Sequence, residues 1–103
     1  MQVLLHTDNH VEGRQGMADH LETVVKDALH RFGDHVTRVE AHLSDAVSHS
    51  KSSPDDIHCT LEARLSNLPP VIVKDHAPTP HQAISGAVDK LKRALTTAVE
   101  KHD

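Results

Sequence analysis

Cys59 to Leu95 reads CTLEARLSNLPPVIVKDHAPTPHQAISGAVDKLKRAL, and the order of patterns within it decides the fold. From Ile57, the residues Ile57, Cys59, Leu61, Ala63 and Leu65 alternate with His58, Thr60, Glu62 and Arg64. That period of two belongs to a strand with one buried face. Ser66-Asn67-Leu68-Pro69 then turns the chain into a short fourth strand, Pro70–Lys74. Thr79 is an N-cap, Pro80 occupies the first helical position, and Gln82 completes a capping box. Behind them Ile84, Val88, Leu91, Leu95 and Val99 share one helical stripe.

Working outward, Val36 to Ser44 also alternates, with Val39, Ala41 and Leu43 opposite Arg38, Glu40 and His42. Upstream, Met17, Leu21, Val24, Val25, Ala28, Leu29 and Phe32 predict a helix from Arg14 to Phe32, closed by Gly33-Asp34. Residues 2–7 supply a first strand, and Asp8 to Gly13 is a polar connection. Asp45–Asp56, rich in Ser, Asp, His and Lys, reads as a long, mobile hairpin loop. The order is β-α-β-β-β-α, with no internal repeat. It predicts an α+β domain with a four-stranded mixed sheet and both helices on one sheet face.

The chain has 103 residues, enough for a single domain over 1–103 with one modest core. Aromatic residues make up 1%, the lone Phe32, so Leu, Val, Ile and Ala must build that core. A single cysteine, Cys59, excludes an internal disulfide framework. No basic-then-apolar N-terminus and no bilayer-length apolar run is present, so a cytoplasmic protein without a membrane partner is expected. The formal charge of −4 argues against indiscriminate polyanion binding.

Element order and length, together with FGDHVTRVEAHL (Phe32 to Leu43) and AISGAVDKLKRAL (Ala83 to Leu95), carry a family resemblance. The chain resembles the ribosome hibernation-promoting and ribosome-associated inhibitor family, also called sigma-factor modulation proteins. The resemblance implies the fold just derived, which is similar to double-stranded-RNA-binding domains. It also implies binding to the small ribosomal subunit in the channel used by messenger and transfer RNA, with idle ribosomes silenced under stress. Contact would be with rRNA and nearby ribosomal proteins, and no small-molecule substrate or cofactor is implied. Ending at Asp103, the chain is expected to act as a short form.

Lys90 and Arg93 fall on the family's basic positions in the last helix, where phosphate contact is expected. Lys92, Lys101, Arg14, Lys26 and Arg31 are the further RNA-binding candidates. The plainer reading is a solvated helix face, with Asp89–Arg93 and Glu22–Lys26 as routine i,i+4 pairs. Thr97 stands where the family tends to carry another cation, and the outward face of the first helix is mixed in sign. The alternative function is therefore a protein-interaction module that kept the fold and lost the ribosome. It would use the open sheet face of Arg38, Glu40, His42, His58, Glu62 and Arg64. That face, or the edge of the fourth strand, could support a weak homodimer.

Eleven histidines are scattered over every element. Cys59 has no second thiol near it, so no metal site is expected. His42 and His58 would face each other if Arg38 paired with Glu62, one of the registers the charges allow. Ordinary imidazoles titrate near pH 6.5, so a fall to about pH 5.5 would load roughly ten protons and turn the chain net basic. Stronger RNA binding in mild acid is the expectation, which equal affinities at the two pH values and fixed salt would remove. Cys59 lies on the apolar side of its strand, and no catalytic constellation can be assembled, so a non-enzymatic protein is expected.

Overall fold

The computed structural model describes residues 1–7, 14–45 and 57–101, with all their side chains except those of Arg14, Gln15, Asp45 and Lys101. The connection expected at 8–13 lies outside the described residues, as does that expected at Asp45–Asp56 except for Asp45, which ends the second strand. The elements are β1 (Gln2–Thr7), α1 (Arg14–Leu29), β2 (Val36–Asp45), β3 (Ile57–Leu65), β4 (Leu68–Ala77) and α2 (Pro80–Lys101). They form one sheet in the order β1-β2-β3-β4. β1 runs parallel to β2, and the other neighbours are antiparallel, so the sheet is mixed as expected.

Both helices lie on one face because the strands' apolar sets all point there. Val39, Ala41 and Leu43 of β2 and Cys59, Leu61, Ala63 and Leu65 of β3 are buried. Above them sit Met17, Leu21, Val25 and Leu29 of α1, and Ala83, Ile84, Ala87, Val88, Leu91 and Leu95 of α2. α1 packs on β1, α2 covers β3 and β4, and the helices touch each other. The opposite sheet face carries Arg38, Glu40, His42, His58, Glu62 and Arg64 with no layer over them among the described residues.

Three boundaries differ from the sequence reading. α1 ends at Leu29, three residues before Phe32, and tightens into a 3₁₀ segment, His30–His35. Gly33 breaks that segment at φ 48°, ψ −117°, a conformation open only to glycine. β4 extends over Leu68–Ala77, well beyond Pro70–Lys74. Pro69 and Pro70 are accommodated because β4 is an edge strand, where a missing N–H can face solvent, and the pairing is irregular between Ala63 and Leu65 beside them. The turn is therefore only Ser66-Asn67, with Asn67 taking the left-handed conformation at φ 64°.

The register also differs from the one that would place His42 against His58. Arg38 lies opposite Arg64, Glu40 opposite Glu62, and His42 opposite Thr60. Like charges face each other because the apolar side fixes the register through Val39↔Ala63, Ala41↔Leu61 and Leu43↔Cys59. Neutralisation runs along each strand instead. Arg38 Nε lies 3.0 Å from Glu40 and Arg64 3.4 Å from Glu62.

Candidate nucleic-acid interface on the helical layer

α2 begins where the sequence placed it. The Gln82 amide donates to Thr79 Oγ1 at 3.2 Å, and the Thr79 hydroxyl donates to Gln82 Oε1 at 3.2 Å. The Ala83 amide then donates to the Thr79 carbonyl at 3.0 Å. This cap fixes the rotational phase of every cation further along the helix.

Lys90 reaches sideways to the edge of the sheet. Its ammonium donates to the Lys74 carbonyl at 3.0 Å and lies 3.4 Å from Asp75 Oδ1. The Asp75 carboxylate fits only because Gly86 has no side chain; a Cβ there would run into it. Lys90 thus straps α2 to β4. Arg93, on the outward face, pairs with Asp89 at 3.0 Å. Lys26 on α1 pairs with Glu22 at 3.2 Å. The side chains of Arg14 and Lys101 lie outside the description.

Arg31 and Lys92 behave differently. Arg31 lies over the Phe32 ring, 4.9 Å from its centroid, and donates to Thr96 Oγ1 at 2.9 Å. The Thr96 hydroxyl donates in turn to the Lys92 carbonyl at 2.8 Å. This chain of contacts brings the 3₁₀ segment that follows α1 against the flank of α2 that carries Lys92. Among the described residues, neither Arg31 nor Lys92 has a carboxylate partner. Of the seven candidates, these two form a cationic shoulder across the 3₁₀ segment and α2, a pairing the sequence ranked below Lys90 and Arg93. Its only sequence signal was helical phase, since the contact spans 65 positions.

The histidines form cross-element pairs. His6 and His42 stack with centroids 4.7 Å apart, and His58 stacks on His76 at 5.3 Å. Glu40 joins the first pair, so the β1–β2 register assembles donors that spacing along the sequence could not reveal. His20 of α1 meets His81 of α2 at 4.3 Å. The His20 Nε2 atom is sealed from solvent without a partner. Burial, and then the facing His81, push the His20 imidazole below its ordinary value.

The sign of that shift gives a stability prediction. A lowered folded-state value means the unfolded chain binds the extra proton first. Stability should therefore be full above the ordinary histidine range and fall as pH drops through it. Urea unfolding at stepped pH should show this loss, and His20→Gln should flatten it; an unchanged acid limb would remove His20 as its source.

Cys59 is fully buried opposite Asp75. Burial, reinforced by that carboxylate, pushes its thiol up to about 12. It should be inert to thiol reagents at mildly alkaline pH until the protein unfolds. Fast modification of folded protein would contradict the packing. Beside Thr97, an apolar groove between β4 and α2 is lined by Leu68, Pro69, Pro70, Val71, Ala94 and Ala98. It offers one hydroxyl and no titratable group, which is poor material for catalysis.

The fold thus defines an α+β domain with one four-stranded mixed sheet and both helices on one face. Residues 5–103 match the family model described as sigma 54 modulation protein / S30EA ribosomal protein, and the chain belongs to that family. Among solved structures it is similar to the N-terminal domain of Protein Y from Thermus thermophilus. The TM-score is 0.71 at 21% identity, covering 91% of this chain and 94% of that one. It is also similar to a ribosomal subunit interface protein from Coxiella burnetii, with TM-score 0.66 and 11% identity, covering 94% of this chain and 96% of that one. No curated protein matches the sequence.

Proposed function

We propose that this chain is a ribosome-associated, non-enzymatic inhibitor of translation that docks on the small ribosomal subunit in the channel for messenger and transfer RNA. The reading rests on family membership over nearly the whole chain. A structural neighbour described as a ribosomal subunit interface protein accords with it. The observation that carries the site is the shoulder of Arg31, from the 3₁₀ segment, and Lys92, from α2, which have no carboxylate partner among the described residues. Such groups can meet phosphates without first giving up an internal ion pair. Inhibition would be steric. The described residues span 47 × 25 × 17 Å, a rigid body that could exclude transfer RNA by occupying its path. On this reading the protein works in the cytoplasm and needs no cofactor.

Co-sedimentation with purified small subunits at two salt concentrations tests the proposal, with large subunits as the control. Pelleting with small subunits that weakens steeply with salt is the expected result. Absence of pelleting at low salt would overturn it.

A second reading, a protein-interaction module, is favoured by the internal neutralisation of Lys26, Lys90 and Arg93. Its surface would be the open sheet face or the β4 edge, where Ile72 is exposed. A weak homodimer through either surface belongs to this reading.

A further inference from the structure

We propose that His6, Glu40 and His42 form a binding site for a divalent cation of the zinc class on the open sheet face. His6 and His42 are directly opposite in the parallel β1–β2 ladder, and Glu40 lies two residues before His42 on the same face. One donor atom from each residue lies within 4.8 Å of the others. The Nε2 atoms of His6 and His42 approach the same carboxylate oxygen, Glu40 Oε2, at 3.6 and 3.9 Å. Those distances are too long for hydrogen bonds, so the three donors converge on one point without satisfying one another. Bonds of 2.0–2.1 Å to a tetrahedral ion place its ligands about 3.3 Å apart. The two rings stack 17° from parallel with centroids 4.7 Å apart, so binding requires both imidazoles to turn until their in-plane lone pairs meet at the ion.

The donor set also selects the ion. Two imidazoles and a carboxylate suit zinc and its transition-metal neighbours, and they lack the all-oxygen shell that calcium or magnesium requires. Arg38 Nε sits 3.0 Å from the other carboxylate oxygen, Glu40 Oε1, close enough to pair with its charge but without a hydrogen bond to it. His6 and His42 are half-exposed, which leaves a coordination position for water or an incoming ligand. The site faces away from the helical layer, so it is independent of the ribosome reading.

The test is calorimetric titration of the tag-free chain with zinc chloride alone, supported by the visible spectrum of a cobalt(II) complex. One-to-one binding is expected. His6→Gln and His42→Gln should each weaken it about tenfold or more, and the tetrahedral cobalt bands should disappear. His58→Gln/His76→Gln should leave both readouts unchanged. All four side chains are exposed, and circular dichroism verifies that the variants fold. Failure of the parent chain to bind zinc would overturn the proposal. So would binding that survives His6→Gln/His42→Gln, or binding lost only in the His58/His76 variant.

Discussion

Leu91→Ala should lower the unfolding free energy by about 3 kcal/mol, the largest stability effect expected of any single truncation considered for this chain. Leu91 has 0% exposure in the middle of α2, above the strands that carry the core. Its loss removes apolar contact with the sheet and leaves a cavity that surrounding Leu, Val and Ala side chains cannot easily fill. The core holds a single aromatic ring, Phe32, so no large side chain can swing in. A domain of this size has a total stability of about 5–15 kcal/mol. The change therefore removes a large fraction of it and should lower Tm by roughly 12–24 °C. Chemical denaturation followed by circular dichroism measures it. A loss under about 1 kcal/mol would mean that α2 settles onto the sheet, contrary to the close-packed layer described here.

The second large effect concerns binding. Arg31→Gln/Lys92→Gln should reduce the salt dependence of small-subunit binding by about two phosphate contacts, between one and two units in the logarithmic slope. Affinity at low salt should fall by about tenfold or more. Lys90→Gln/Arg93→Gln should do less, because each wild-type cation must first leave Asp75 or Asp89 to reach RNA. Glutamine retains side-chain polarity and much of its reach, so the comparison isolates charge. Parallel salt titrations of the three proteins decide the matter. A larger loss from the Lys90/Arg93 pair would move the contact to the outer face of α2.

Much of this architecture was legible in the residues. Alternation in β2 and β3 identified the buried side of each strand, and Thr79-Pro80 with Gln82 located the start of α2. These are local signals, confined to one element, and tertiary packing agrees with them. The misread features depend on neighbours far away in sequence. Leu68 and Pro69 looked like part of the turn, because only the sheet order makes β4 an edge strand that tolerates the two prolines. Charges on β2 and β3 suggested a register that the apolar face overrides. At the candidate interface, helical phase found the cations and the i,i+4 partners of Lys26 and Arg93, but not the partner of Lys90. Asp75 lies on a strand, so nothing within α2 foretold that Lys90 would be occupied. The grouping of His6 with Glu40 and His42 likewise required a parallel pairing no sequence window contains.

The placement of β1 has a consequence for how the domain assembles. β3 and β4 meet through a two-residue turn, so their ladder can close from the turn outward. β1 has no such shortcut. It pairs with β2 alone, in parallel, and only after the intervening α1 segment has looped back. Closing that longer loop is entropically dearer and slower than zipping a hairpin. β1 is thus expected to join the sheet late, and to be the first strand to let go. Amide exchange in β1 should outpace that in β3, making the N-terminal strand the moving end of an otherwise fixed sheet.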